Sequence, residues 1–551
     1  MIDAEVDAEL TREGAPFELA DEVVLGEVMP VFLRRPRALR ELLTRSVAEF
    51  GDREFLVQGP ARMTFAEHAA HVAEVAALLA EDGVGPGDRV AILGENSLAW
   101  IVAFFATTSL GASAVAMNAW WAAEELRFGL SDSAPKVLLV DEKRAARLGA
   151  APAGVRVRSL ATLLSDARGR DGAPAPPIAE DDPAVILYTS GTTGRSKGAV
   201  LSHRNLLGLV SIQSFQGARL ARLMGAPPGW APPTPPCLLS ANPLFHVSGL
   251  AAGVVAHLAW GAKSVWNAGK FDPTQTLELI ERERVTGWAP HGSMAYRVVN
   301  HPDRARYDLS SVKSLGSGGA PVTPEIQRAL RDAFPSVTLA MGVGYGLTEA
   351  TALATLNFGE HLQRHPTSVG APLPTVQLAI RDADGRELPP GEEGEITLRG
   401  PLVMLGYFRR PEETAAMFLP GRWLRTGDVG RVEDGRLYVS TRKRDLILRG
   451  AINVSPSEIE ARLAAHPDVA EAAVIGVDSV ELGQEVKAIV VPRDGATLDV
   501  EALRAWVAAT LAYFKVPAHW EVRTEPLPRN ATGKIMKYLL QSGDASPLVE
   551  D

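Results

Sequence analysis

The chain has 551 residues, 46% apolar and 22% charged. These are globular proportions, with interior enough for roughly three or four average domains, and they exclude a disordered chain or a fibre. Its 56 Lys and Arg against 66 Asp and Glu give a formal charge of −10, and no basic run approaches a nucleic-acid footprint, so no nucleic-acid partner is expected, though a local phosphate pocket is allowed.

The acidic opening Met1-Ile-Asp-Ala-Glu-Val6 lacks the features of a signal peptide, and Pro547 to Asp551 carry no sorting signal, which makes a cytoplasmic location the expectation. Thr64-Phe-Ala-Glu67 reads as a capping box, with Val72, Val75 and Leu79 on one helical stripe and Gly83 as the stop. Arg89 to Leu93 reads as a strand. Leu98 to Ala123 is uncharged and long enough to span a bilayer. Gly111 divides it, however, into a buried helix from Ser97 to Leu110 and a strand from Ala114 to Met117, so no integral membrane association is expected. A helix after Ala122 and a strand at Val137 to Val140 continue the alternation, which predicts parallel sheets covered on both faces and an α/β class. Residues 165–182 read as a polar surface connection.

The apolar run Ala184 to Leu187 feeds Tyr188-Thr-Ser-Gly-Thr-Thr-Gly-Arg-Ser-Lys-Gly198. Gly191 and Gly194 let a polyphosphate approach the backbone, the hydroxyls of Thr189, Ser190, Thr192 and Thr193 donate, and Lys197 adds charge. A surface turn is the alternative, and the Walker pattern fails because no Gly-Lys-Ser/Thr follows. Leu201 to Leu206 starts a helix, and a proline-rich loop spans Gly225 to Pro236. Cys237 after it cannot make an intrachain disulfide and reads as a small buried residue rather than a catalytic thiol. His246, in Asn242-Pro-Leu-Phe-His-Val-Ser-Gly249, falls at a strand-to-helix turn, as a site residue or a core histidine. Phe271-Asp-Pro-Thr274 opens a helix running to Val285.

Two more glycine clusters follow strand-like runs, Ser317-Gly-Gly-Ala-Pro321 and Gly344-Tyr-Gly-Leu-Thr-Glu349. Tyr345 can stack on a base, Thr348 can donate to a phosphate and Glu349 can hold magnesium. All three clusters fit ligand contacts at the carboxyl ends of strands. Beyond Val376 short alternating segments suggest a β-rich subdomain, in which Asp428 accepts from ribose hydroxyls or caps a turn. A boundary is placed near Arg444. After it, helices Ser457 to Ala465 and Val500 to Leu511 and strands Glu471 to Val477 and Val486 to Val491 make an α+β unit of about a hundred residues. A glycine-turned loop, Asn530 to Lys537, presents Lys534.

Taken together and in this order, YTSGTTGRSKG, SGGAP, GYGLTE, TGD, the segment RKRDLILRGAINVSPSEIE (442–460) and NATGKIMK resemble the adenylate-forming superfamily, which includes acyl-CoA synthetases, firefly luciferase and the adenylation domains of peptide synthetases. The match covers almost the whole chain after the acidic leader. It implies a large N-terminal domain, 1–443, of two α/β subdomains plus a β-barrel-like one, and a small mobile α+β lid, 444–551, hinged at Arg444. It implies two steps, in which a small carboxylic acid attacks the α-phosphate of ATP to give acyl-AMP and CoA then takes the acyl group.

By position, the resemblance assigns Lys534 to the acyl carboxylate and α-phosphate, and the 189–194 loop with Lys197 to the β,γ-phosphates. Glu349 becomes a Mg2+ ligand and Thr348 a phosphate contact. Gly319, Ala320, Pro321, Gly344, Tyr345 and Gly346 fall to the adenine site, Asp428 and Arg442 to the ribose. His246 lies beside the acyl carboxylate, while Val247, Ser248, Gly249, His291, Gly292, Ser293, Gly318, Met341, Gly342 and Val343 line the acyl pocket. Lys443, Arg449 and Gly450 fall to the CoA passage. The acyl positions are mostly small or apolar, which favours a fatty or other hydrophobic acid.

Two departures stand out. Arg195-Ser196 replaces the usual residue followed by proline, and the hinge position, usually Lys or Asp, is Arg444. A homodimer is compatible with the resemblance. The rivals are an enzyme that loads a carrier protein and a non-catalytic adenylate sensor. Against an amino-acid-activating loader, Phe245 is followed by His246 rather than Asp; against the sensor, Thr348, Glu349, Asp428 and Lys534 are all present.

Overall fold

The computed structural model describes residues 2–189, 196–230, 233–290, 293–318, 322–337, 340–442, 445–449, 452–479, 482–530 and 534–542. The capping box forms as read. Thr64 Oγ1 accepts from the Glu67 amide at 3.1 Å, and the Glu67 carboxylate accepts from the Thr64 amide at 2.8 Å. The helix it opens, α1 (Phe65–Glu81), buries Val72, Val75 and Leu79. After β1 (Arg89–Leu93) the Ser97 hydroxyl caps α2 (Leu98–Ser109), which is buried from Trp100 onward. Both of its threonine hydroxyls are satisfied internally: Thr107 donates to the Ala103 carbonyl at 2.7 Å and Thr108 to that of Phe104 at 3.1 Å. The uncharged stretch is thus an interior helix followed by a buried strand, Ser113–Ala116. Among the described residues no helix is long and apolar enough to cross a membrane.

The first large sheet adds β2 (Ser113–Ala116), β3 (Val137–Val140), β4 (Arg156–Ser159), β5 (Pro183–Thr189) and β6 (Lys197–Ser202). Its order is Gly406–Tyr407, β6, β5, β2, β1, β3, β4. It is parallel from β4 to β5, as the alternation predicts, but β6 and Gly406–Tyr407 add to it antiparallel. The sequence reading did not anticipate β6, because Lys197-Gly-Ala-Val-Leu-Ser202 is short and lies between a glycine-rich turn and a helix. Ser202 then caps the helix α3 (His203–Leu223).

The second large sheet is parallel from Glu54–Gln58 through β7 (Ser314–Gly318) to β8 (Met341–Tyr345), with antiparallel strands at both margins. A β-rich sheet beyond residue 376 contains β9 (Trp423–Glu433) paired with β10 (Arg436–Arg442). The last unit has its own sheet and helices, Pro456–Ala464 and Val500–Ala508, around a core of Ile459, Leu463, Val486, Val490, Leu503 and Val507. Residues 443 and 444, the expected boundary and hinge, lie outside the described residues.

One correction concerns residues 165–182. The connection runs over the surface for most of its length, as read, but Glu180 near its end is buried: it takes two hydrogen bonds from Arg35, at 2.5 and 2.9 Å, and lies 2.8 Å from Arg37 and 3.1 Å from Arg204. Arg35 also reaches Glu22 at 2.7 Å, and Arg204 at the start of α3 holds Asp181 at 2.6 Å. The cluster ties an N-terminal hairpin, Leu19–Val24 with Glu27–Phe32, to the first turn of α3.

Burial opposes the charge on Glu22, but Arg35 and Arg37 outweigh it and bring its pKa from 4.5 down to about 2. Its contribution to folding stability is therefore full above pH 4.5 and is lost as the pH falls toward 2. The variant Glu22→Gln is expected to flatten the fall in melting temperature across that window, read from circular-dichroism melts; an unchanged slope would show that the native pairing leaves no linkage.

Candidate functional site

The site begins where β5 ends and β6 begins, with Thr189 and Lys197 paired across the ladder. Ser190, Gly191, Thr192, Thr193 and Gly194 between them lie outside the described residues. Glu349 arrives from the C-terminal end of β8, in a single 3-10 turn, and is 9% exposed. Thr189 Oγ1 donates to Glu349 Oε1 at 3.2 Å, and Tyr407 Oη donates to the same oxygen at 2.8 Å. The Lys197 ammonium lies 5.3 Å from the centroid of the Tyr407 ring.

Both bonds end on Oε1, and among the described residues no hydrogen bond is made to Oε2, whose lone pairs can serve another partner. Among the described residues no group of His, Cys, Asp and Glu side chains could enclose a metal by itself. A lone carboxylate with hydroxyls nearby suits a hard cation that brings its own water and phosphate oxygens, which describes magnesium beside a nucleotide.

A second group stands on the β9–β10 ladder, where Asp428 faces Arg442 in register. Asp428 is buried. Its Oδ1 accepts from Arg442 Nε at 2.7 Å and its Oδ2 from Tyr345 Oη at 2.8 Å. The turn-capping alternative for Asp428 does not hold, because the residue stands within a strand. Burial disfavours the Arg442 charge, yet Asp428 and then Glu349 outweigh it and raise its pKa, so one guanidinium senses both carboxylates. Burial first, and then Asp428, push the Tyr345 phenol well above its ordinary pKa and keep it a neutral donor.

The glycines around Tyr345 have a reason the sequence did not reveal. A Cβ on Gly346 would meet the Ala352 carbonyl oxygen at 2.1 Å, and one on Gly344 the Leu353 Cδ1 at 2.4 Å. These glycines let the tight turn that carries Thr348 and Glu349 close on itself. Gly318 pairs with Gly344 across β7 and β8, while Gly319, Ala320 and Pro321 lie outside the described residues.

His246 sits at the strand-to-helix turn, as expected, just before the short turn Val247–Gly249 that follows the strand Cys237–Ser240, with its ring 4.8 Å from that of Phe245. Val247, Met341 and Val343 are buried and Ser248 is half-buried. Gly249 is also required by the turn: a Cβ there would meet the Pro243 carbonyl oxygen at 2.3 Å. A Cβ on Gly342 would crowd Leu356 at 3.2 Å. His291 and Gly292 lie outside the described residues, and Ser293 is described as the first residue of a helix, Ser293–Val299. Cys237 is buried, its thiol donating to the Glu283 carbonyl at 3.3 Å; burial raises its pKa to about 11, which fits the inert reading.

In the small unit, Lys534 closes its own turn, its amide donating to Asn530 Oδ1 at 2.9 Å and its carbonyl accepting from the Asn530 amide at 2.9 Å. Arg449 ends the strand Ile447–Arg449. Lys443, Arg444 and Gly450 lie outside the described residues.

Sequence reasoning missed Tyr407, 58 positions from Glu349, and also Asp132, which accepts from Tyr188 Oη at 2.8 Å and from Arg410 at 2.5 Å. No local pattern marks either one. Removing Asp428 leaves two half-buried donors without their acceptor, so Asp428→Ala is expected to cost on the order of 1 kcal/mol in urea unfolding. Combining it with Arg442→Ala should cost less than the sum of the single changes, and strict additivity would mean that the two do not interact in solution.

With this geometry in place, likenesses to known proteins are informative. Residues 43–408 match the family model described as AMP-binding enzyme, and residues 458–534 that described as AMP-binding enzyme C-terminal domain. The chain is 37% identical to a feruloyl-CoA synthase of Amycolatopsis sp over 480 residues, which is 87% of this chain and 93% of that protein. It is 31% identical to a long-chain-fatty-acid–CoA ligase of Bacillus subtilis, over 92% of this chain and 94% of that one. Among solved structures, ATP-bound MatB from Rhodopseudomonas palustris superposes with a TM-score of 0.80 at 31% identity, covering 92% of this chain and 99% of that one.

Proposed function

The chain belongs to the AMP-binding enzyme family and is an ATP-dependent, AMP-forming acid–CoA ligase, and we propose that the acid it activates is a fatty or other hydrophobic one. The reading of the site rests on one observation, the convergence of Thr189, Tyr407 and Lys197 around Glu349, beside Asp428 held by Tyr345 and Arg442. One group is suited to phosphates and the other to a ribose. A hydrophobic acid is supported by the buried Val247, Trp288, Met294, Met341 and Val343, and by relatives named for feruloyl and long-chain acyl groups.

In the first step the acid carboxylate attacks the α-phosphorus of ATP, the bond to the β-phosphate oxygen breaks and pyrophosphate leaves. In the second the CoA thiolate attacks the acyl carbon and AMP leaves. Two anions must meet in the first step, so fixed positive charge should provide much of the catalysis. We assign Lys197 and the 189–194 loop to the departing pyrophosphate. Thr348 is assigned to a phosphate oxygen, Asp428 and Arg442 to the ribose, Gly319 to Pro321 and Tyr345 to the adenine, and His246 to the edge of the acyl carboxylate. Glu349 would hold magnesium, which when bound supplies further positive charge at the phosphates.

Lys534 is assigned to the reacting carboxylate and α-phosphate on its motif alone. We place the domain boundary and hinge at Arg444, between the two family-model matches, and assign Lys443, Arg449 and Gly450 to the CoA passage.

A pyrophosphate-release screen with ATP, magnesium, CoA and short, medium, long and aromatic acids tests the substrate class. Highest turnover is expected with hydrophobic acids, and preference for a short polar or dicarboxylic acid overturns that part. Replacement of Lys534 by Ala is expected to lower acid-dependent pyrophosphate release by on the order of a hundredfold. The same variant should retain thioester formation from supplied acyl-AMP, and equal loss in both half-reactions would refute a role confined to adenylation.

A further inference from the structure

We infer that Tyr407 is a positioning residue for adenylation, holding the Glu349 carboxylate by one oxygen so that the other is presented to the metal and phosphates, and joining that carboxylate to Lys197. The inference deepens the proposed reading of the site and rests on it. Tyr407 Oη and Thr189 Oγ1 both donate to Glu349 Oε1, at 2.8 and 3.2 Å. Two donors on one oxygen restrain the carboxylate, and among the described residues none reaches Oε2. The Lys197 ammonium stands over the phenol ring, 5.3 Å from its centroid and within cation–π range.

The backbone keeps the ring in place. Gly406–Tyr407 lies antiparallel on β6, Ala199 facing Tyr407 and Val200 facing Gly406. The ladder is extended by the Phe408 amide to the Gly198 carbonyl at 2.8 Å and the Leu405 amide to the Val200 carbonyl at 2.9 Å. The Tyr407 amide donates to Thr414 Oγ1 at 2.9 Å. Three residues further on, Arg410 grips Asp132 at 2.5 Å, and Asp132 accepts from Tyr188 Oη at 2.8 Å. The 405–410 segment therefore holds both ends of the phosphate loop. At Tyr188 it acts through Asp132; at Thr189 and Lys197 it acts through Tyr407. A residue that merely filled space at a sheet edge would need neither the hydroxyl on Glu349 nor the ring under Lys197.

Two variants separate the contributions. Tyr407→Phe keeps the ring and loses the donor, and Tyr407→Leu loses both. For Tyr407→Phe the expected result is an approximately tenfold weaker Mn2+ affinity of the enzyme–ATP complex, read by electron paramagnetic resonance, with a matching rise in the Mg2+ needed for half-maximal pyrophosphate release. ATP binding without divalent metal should be unchanged in Tyr407→Phe and weakened in Tyr407→Leu, and melting temperatures should show both variants folded. Wild-type Mn2+ affinity in Tyr407→Phe overturns the inference, as does metal-free ATP binding that is equal in the two variants. Because the Mn2+ measurement needs no acid, it stands apart from the proposed reaction, whose own failure would appear as absent pyrophosphate release from the wild-type enzyme.

Discussion

The antiparallel return of β6 is the constraint on which the site depends. A glycine- and hydroxyl-rich loop that ran on directly into a helix would present Lys197 on a helical turn. Instead Lys197 opens a strand paired to Thr189, so the two mouths of the loop are fixed across a ladder. That strand offers its outer edge to Gly406–Tyr407, and the pairing carries Tyr407 to Glu349. Glu349 itself comes from the other large sheet, in a turn whose tight closure needs Gly344 and Gly346 bare. Three separate parts of the chain thus meet at one carboxylate oxygen.

Charge is arranged so that the site is largely neutralised before a nucleotide arrives. Asp428 is answered by Arg442 and Tyr345, and Glu349 accepts from Thr189 and Tyr407. An unpaired carboxylate facing a polyphosphate at 4 Å would oppose it by about 4 kcal/mol at an effective dielectric constant of 20. Donors on each carboxylate reduce that opposition while leaving lone pairs for a cation or for hydroxyls. Burial keeps the Tyr345 phenol neutral, while Asp428 and Glu349, against the effect of burial, keep the Arg442 guanidinium charged, so Asp428 retains both partners near neutral pH.

The Arg35–Glu180–Arg204 cluster supports this arrangement from behind, at the first turn of α3 where β6 ends. A buried ion pair is weak evidence of net stability, since desolvation offsets much of its attraction. Its consequence is geometric, because separating any member strands a buried charge. The N-terminal hairpin, the 165–182 connection and the strand returning from the phosphate loop are held in one relation.

The amino-acid order by itself determined the elements and the motifs. Periodicity and caps placed one helix between Thr64 and Gly83 and another over Ser97 to Leu110, alternation led to the α/β class, and the glycine clusters marked three strand ends. Those signals are local, arising from side-chain spacing of two or 3.6 residues and from backbone freedom at glycine. Only the tertiary structure decided that Glu180 is buried, that Gly249 and Gly346 serve turns, and that Tyr407 and Asp132 belong to the site. Each of these depends on atoms brought together from distant parts of the chain, and no spacing rule spans the 58 positions between Glu349 and Tyr407. What joins them is a strand pairing at a sheet edge, a contact whose register is set by the packing of the whole sheet.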